Sequence, residues 1–207
     1  MSATKQRICE AALRLFQEKG YDHVSLREIA EQAGTTIGNL THHFPQKDLL
    51  LAALQKQLQT EFPLRREFTR EPEKLLENLL DTFFVAERNE SENSFYYQHI
   101  CDFYRDSEQA RQNADEFRRK LFDYYYATFA ALRDLGVMDS RYSMENYLNL
   151  TYLCVMMTTF WVSAASPYHD SALPTIPIAD SLYQLLLPYL VQEHRETYTE
   201  IYQRCRG

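Results

Sequence analysis

Between residues 35 and 43 the chain sets Thr35, Thr36, Ile37, Gly38, Asn39, Thr41, His42 and His43 in close succession. An asparagine amide offers a donor and an acceptor side by side, which suits the edge of an adenine, while the isoleucine and threonine methyls suit the methyl of thymine. The threonine hydroxyls serve equally well as helix caps, and the two histidines serve equally well as packing beneath a helix. Enzymatic chemistry has no comparable footing. There is no glycine-rich phosphate loop, no Gly-x-Ser-x-Gly elbow, no His-Glu-x-x-His helix and no paired-cysteine metal site. The nearest cluster is His99, Cys101 and Asp102, and on one helix Cys101 faces away from the other two. His99 and Asp102 read either as a polar anchor in an apolar pocket or as an ordinary hydrogen-bonded pair. No catalysis, metal or cofactor is expected.

Side chains that read a surface need a rigid mount, and residues 25–44 predict one: two short helices folded about a glycine, the unit that lays a helix in the DNA major groove. Ser25 is an N-cap, and Glu28 three residues on can close a capping box by reaching back to the Ser25 amide. Ile29, Ala30 and Ala33 form the apolar face of the first helix, Gly34 supplies the turn, and Leu40 anchors the second. Upstream, Ile8, Ala12, Leu15 and Phe16 repeat at helical spacing until Lys19-Gly20 ends that helix. Downstream, Phe44-Pro45-Gln46-Lys47 stops the second short helix, because proline disfavours helical geometry in the residue before it. A fourth helix then runs from Gln46 or Lys47 through Leu49, Leu50, Ala53, Leu54 and Leu58.

The ordered set Phe16-x-x-Lys19-Gly20-Tyr21, Ser25-x-x-Glu28-Ile29-Ala30-x-x-Ala33-Gly34 and Gly38-x-Leu40-x-x-x-Phe44-Pro45-x-Lys47-x-x-Leu50 resembles the N-terminal DNA-binding domain of TetR-family (TetR/AcrR-like) transcriptional regulators. The resemblance runs from Arg7 to Leu50. It implies DNA contacts from Ser25 and Arg27, from Thr35, Thr36, Ile37, Gly38, Asn39, Thr41, His42 and His43 on and around the recognition helix, and from Lys47. Base reading falls mainly on Thr36, Ile37, Asn39 and Thr41. The chain also departs from the family's habit. Ile37 stands where a lysine is usual, Thr41 where a phosphate-directed tyrosine is usual, and His43 where an aromatic is frequent.

Charge sharpens that departure. The 207-residue chain carries a net charge of −7, whereas nonspecific DNA affinity comes largely from Lys and Arg displacing counterions. In the first fifty residues Lys5, Arg7, Arg14, Lys19, Arg27 and Lys47 are balanced by Glu10, Glu18, Asp22, Glu28, Glu31 and Asp48, so the acidity belongs to the remainder. Beyond Gly38 the only glycines are Gly136 and Gly207, with almost no hairpin signals. The expected fold is therefore all-α: a three-helix reader over residues 1–48, and a larger helical domain over 49–207 for ligand binding and dimerisation. Cys9, Cys101, Cys154 and Cys205 share no metal-ligand spacing and read as reduced thiols. The start of the chain has no apolar signal segment, which points to the cytoplasm.

The body divides at its breakers. Arg70-Glu-Pro-Glu opens a helix with Leu75, Leu76, Leu79, Leu80, Phe83 and Phe84 inward, ended by polar residues 89–93; residues 95–105 form the next and 109–135 a long one stopping at Gly136. From Asn146 to His169 no Asp, Glu, Lys or Arg occurs. Asn149, Thr151, Thr158, Thr159 and Ser163 make this a poor membrane span and a better helix buried by its own subunit and a partner. Residues 167–177 form a loop with three prolines, and a last helix from Ile178 to about Arg204 is kinked or interrupted at Pro188.

The resemblance implies a homodimer through the last two long helices and a palindromic operator. It also implies a ligand cavity, for which the candidate lining is Phe95, Tyr96, His99, Phe103, Tyr124, Tyr125, Tyr152, Met156, Phe160 and Trp161, residues that also suit plain core. The expected function is a ligand-responsive DNA-binding transcriptional regulator, a repressor released by a small, mostly apolar effector, with the fourth helix as hinge. The alternative is a helical protein-interaction module that has lost specific DNA reading.

Overall fold

The start and stop signals of the chain appear as hydrogen bonds in the computed structural model, which describes residues 2–60, 62, 64, 69–165 and 176–207. Ser2 caps α1 (Ala3–Lys19) by accepting from the Lys5 amide at 3.4 Å. Ser25 and Glu28 close the capping box of α2 (Leu26–Gln32). Thr36 caps α3 (Ile37–His43), accepting from the Asn39 amide at 3.2 Å. α4 follows over Lys47–Thr60.

Two compact units are formed. The first comprises residues 1–60 and 93–115. Ile8, Ala12, Leu15 and Phe16 of α1, Ile29 and Ala30 of α2, and Leu40 of α3 are buried in it, as their helical spacing predicts. The same unit contains α6 (Ser94–Gln98), α7 (Ile100–Asp106) and the start of α8 (Glu108–Asp134). The Gln55 amide donates to the Ala110 carbonyl at 3.1 Å and the Asn113 amide to the Ala52 carbonyl at 3.2 Å, so α4 and the start of α8 are tied together. This grouping differs from the expected division at residues 48 and 49, which followed chain order and had no means of seeing residues 93–115 return.

The second unit comprises residues 61–92 and 116–207. Its core joins α5 (Pro72–Glu92), the rest of α8, α9 (Met144–Ala165), α10 (Ile178–Leu186) and α11 (Gln192–Arg206). Leu76, Leu79, Leu80, Phe83, Leu121, Tyr125, Phe129, Leu150, Cys154, Leu182 and Tyr198 are among its most enclosed side chains. Among the described residues no strand forms beyond an isolated bridge between Met138 and Leu190, so the chain there is all-α. Pro188 interrupts the last long helix as expected: α10 stops at Leu186, a 3-10 turn spans Leu187–Tyr189, and α11 restarts at Gln192.

Two boundaries fall elsewhere than the sequence suggests. α5 runs through residues 89–92, because Asn89 and Glu90 are buried rather than frayed into solvent. The single helix expected over residues 95–105 is broken at His99, whose φ of −104° and ψ of 11° leave the helical region. Most of the loop expected at residues 167–177 lies outside the described residues.

Candidate nucleic-acid interface

Gly34 makes the turn between α2 and α3 at a φ of +63°, where a side chain would be strained. The amide of Thr35 reaches back to the Ala30 carbonyl at 2.9 Å and that of Gly34 to the Glu31 carbonyl at 3.1 Å. This paired bonding satisfies carbonyls that the end of α2 leaves open and fixes the angle at which α3 departs. Leu40, fully buried, pins α3 from below. One face of α3 is thereby held outward: Ile37 is 41% exposed, and Thr36, Gly38, Asn39 and His42 are also exposed.

Several polar side chains of this face already have partners. The Asn39 amide donates to the Thr35 hydroxyl at 2.8 Å, which fixes the orientation of the residue best suited to an adenine. The Thr41 hydroxyl donates to the carbonyls of Ile37 at 3.0 Å and Gly38 at 3.2 Å, so it points along its own helix. Thr36 and Ser25 are caps, as their alternative reading has it. His42 is exposed and His43 half-buried, their rings 5.3 Å apart. Arg27 is exposed and makes no ion pair among the described residues.

Lys47 has a different place from the one its motif suggests. Its ammonium donates to the carbonyls of Tyr21 at 2.6 Å and Val24 at 2.9 Å, and lies 4.0 Å from the centre of the Tyr21 ring. Burial pulls its pKa below the ordinary lysine value, and the Asp22 carboxylate offsets part of that. Two of its three protons thus hold the turn between α1 and α2. No local pattern announces this, since the partners lie 26 and 23 residues away in sequence.

Glu28 belongs to the frame of the reader as well. It accepts from the Ser25 amide and hydroxyl, each at 2.8 Å, and from Lys19 at 3.1 Å, which together hold its carboxyl down to about 2.

The ten candidate ligand residues are not brought together as one set. In the first unit Phe95 meets His99 at 4.9 Å and Phe103 at 5.9 Å between ring centres, and Tyr96 stacks on Phe103 at 5.8 Å. The side chain of Asp102, expected beside His99, lies outside the described residues. In the second unit Tyr124 donates to the Asn78 carbonyl at 3.1 Å and fully buried Tyr125 pairs with Thr158 at 2.9 Å. Phe160 lies 6.0 Å from the Arg118 guanidinium, and the indole of Trp161 donates to the Ile176 carbonyl at 3.2 Å. Tyr152 and Met156 are 58% and 50% exposed, on the outer face of α9 rather than around an interior cavity. They continue the line of Met144 and Leu148 at four-residue intervals, with Leu153 beside them, an apolar stripe on one side of the helix. A charge-free helix gives no polar side by which to read its inward face.

The four cysteines are free thiols; burial pushes Cys9 up to about 11 and raises Cys154 further. No described helix is long and apolar enough to cross a membrane.

Comparison with known proteins agrees with this geometry. Residues 8–54 match the model of the bacterial regulatory proteins of the tetR family. The HTH-type transcriptional repressor Rv1474c of Mycobacterium tuberculosis is 35% identical over 57 residues, which cover 28% of this chain and 30% of that repressor. The likeness in sequence is thus confined to under a third of each. The fold likeness is broader. A TetR-family transcriptional regulator from Marinobacter aquaeolei VT8 superposes over 100% of both chains with a TM-score of 0.75 at 20% identity. SmeT in its triclosan complex superposes over 92% of this chain and 93% of its own, with a TM-score of 0.64 at 17% identity. Residues 8–54 thus resemble the DNA-binding part of the tetR family of bacterial regulatory proteins, and the chain as a whole shares the fold of solved TetR-family regulators.

Proposed function

We propose that the chain is a cytoplasmic transcriptional regulator that binds a palindromic operator as a homodimer and is released by a small, mostly apolar effector; catalysis is no part of this reading. The observation that carries it is the α2–α3 pair: doubly capped, turned at Gly34, and presenting Ile37 and Asn39 outward from a buried Leu40. The outer stripe of α9 supports the dimer, because an exposed run of Met144, Leu148, Tyr152 and Met156 is more apolar surface than one subunit leaves uncovered without a partner. The dimer face is read as the last two long helices, of which α9 carries the exposed apolar stripe while Tyr198, Ile201 and Tyr202 turn the inner face of α11 into its own unit. In a two-fold dimer the two recognition helices meet half-sites roughly 34 to 36 Å apart. The effector reading draws support from the fold shared with SmeT, which was solved with triclosan. Release is linkage: an effector that prefers the non-DNA geometry weakens DNA binding by the factor by which DNA weakens its own.

Selection of bound sequences from a random DNA pool tests the reading. An enriched palindrome with half-sites one helical turn apart supports it. The alternative, an interaction module that no longer reads DNA, is favoured by the engagement of Lys47 and Thr41, and absence of enrichment even at low salt would establish it in place of the regulator.

A further inference from the structure

The turn that Lys47 grips also lines a cavity of about 400 Å3 that lies wholly within the first compact unit. Tyr21 and Asp22 come from that turn, Asp48 from the first turn of α4, and Phe95, His99 and Phe103 from α6, α7 and the break between them. The rings form a continuous apolar surface: Tyr21 meets Phe103 edge-on at 5.3 Å, and Phe103 meets Phe95 at 5.9 Å. Against this surface stand two carboxylates. Neither Asp22 nor Asp48 makes a hydrogen bond or ion pair among the described residues, and the Lys47 ammonium near Asp22 gives its protons to backbone carbonyls. Arg105 also reaches the cavity, but it has a partner of its own.

We propose that this cavity is an effector site for a compact aromatic molecule bearing one protonated amine, its ring against Tyr21, Phe95 and Phe103 and its ammonium on Asp22 and Asp48. The volume suits a small organic ligand. A cation is the charge type that gains from both walls, from the carboxylates by charge-assisted hydrogen bonds and from the ring faces by cation–π attraction. An anion meets two like charges, and a neutral molecule that strips water from the carboxylates returns at most an uncharged hydrogen bond, weaker than an ammonium gives. The Tyr21–Val24 turn leads into the Ser25 cap of α2, so an occupant bears on the geometry at which the reader begins. That last coupling rests on the regulator reading, whereas the binding itself does not.

Titration calorimetry on the full-length, DNA-free protein tests the site with tryptamine and with tryptophol, which replaces the amine by a hydroxyl on the same indole. Tryptamine is expected to bind at least tenfold more tightly than tryptophol. Asp22→Asn and Asp48→Asn, conservative changes on the cavity wall, are each expected to weaken tryptamine several-fold, and together at least tenfold, while tryptophol is unmoved. Equal binding of the two compounds, no tryptamine binding at millimolar concentration, or full affinity in the double variant would overturn the site. Saturating tryptamine is further expected to change the affinity for whatever sequence the DNA selection enriches, and an unchanged affinity would end its role as effector. Failure of the selection itself would refute the regulator reading and leave the calorimetry standing.

Discussion

Replacing Lys47 by methionine separates two roles that the motif alone confuses. Methionine keeps the unbranched stem and removes the ammonium, so the loss falls mainly on the bonds at 2.6 and 2.9 Å to the Tyr21 and Val24 carbonyls, with smaller shares from the contact over the Tyr21 ring and the attraction to Asp22. Hydrogen bonds from a charged donor are worth about 1.5–3 kcal/mol each. Val24 is buried and its carbonyl is left without that donor, while Tyr21 is half-buried and regains some solvation. A net loss of about 2–4 kcal/mol follows, or roughly 5–15 °C in Tm for a chain of this length. The DNA-binding arm has the opposite expectation. Each phosphate neutralised contributes about −0.9 to the slope of log affinity against log salt. Arg7, Arg14 and Arg27 are exposed and make no ion pair among the described residues, whereas Lys19 is bonded to Glu28. If all three arginines of both subunits reached phosphate the slope would be about −5, and with Arg27 alone about −2. Lys47→Met should leave that slope unchanged while lowering Tm. The assay is calorimetric melting paired with a salt titration of operator affinity. An unaltered Tm together with a slope shallower by about 2, the share of two lost phosphate contacts, would refute the argument.

Three further outcomes are expected. Gly34→Ala should destabilise by about 1–2 kcal/mol, the cost of a side chain at a φ of +63°, whereas Gly38→Ala, inside α3 with open space where its Cβ would lie, should stabilise by about 0.5–1 kcal/mol; denaturant unfolding giving both changes the same sign would contradict this backbone reading. The Glu28 carboxyl is depressed to about 2, so its contribution is present above the ordinary value of 4.5 and is lost as pH falls through 4 towards 2; Glu28→Gln should flatten that part of the stability profile, and an unchanged acid limb would count against the capping box. Tyr152→Lys combined with Met156→Lys, on the exposed stripe of α9, should yield monomers by light scattering with helix content retained, and a persisting dimer would move the interface elsewhere.

What the sequence discloses here is what is local. The Ser25–Glu28 capping box, the reversal at Gly34 and the break at Pro188 each follow from residues within four or five positions of one another, and each appears where spacing predicts. The second reversal at Gly136 works alike: Val137 reaches the Leu132 carbonyl at 2.8 Å and Gly136, at a φ of +75°, the Arg133 carbonyl at 3.0 Å. The less legible features depend on chain segments that meet only on folding. Asn89 and Glu90 look like helix terminators until burial gives them surroundings, and residues 93–115 look like body until they fold into the unit of the reader. Tyr152 and Met156 look like cavity lining because helical periodicity cannot orient a helix that has no charged side.

Lys47 is the sharpest case, because its sequence position matches the motif while its chemistry is set by Tyr21 and Val24. A lysine held by two carbonyls cannot offer all three protons to a phosphate. Together with Ile37 in place of a cation and a Thr41 hydroxyl turned to its own helix, this leaves the reader with little electrostatic grip of its own. Affinity in such a reader must come from shape and base contact, from Asn39 as oriented by Thr35 and from the methyls of Ile37 and Thr36, terms that salt scarcely screens. Specific and nonspecific binding should therefore diverge as salt rises. A reader that depends on base contacts loses its nonspecific sites first, so its discrimination between operator and random DNA is expected to hold to higher salt than its weak charge would suggest.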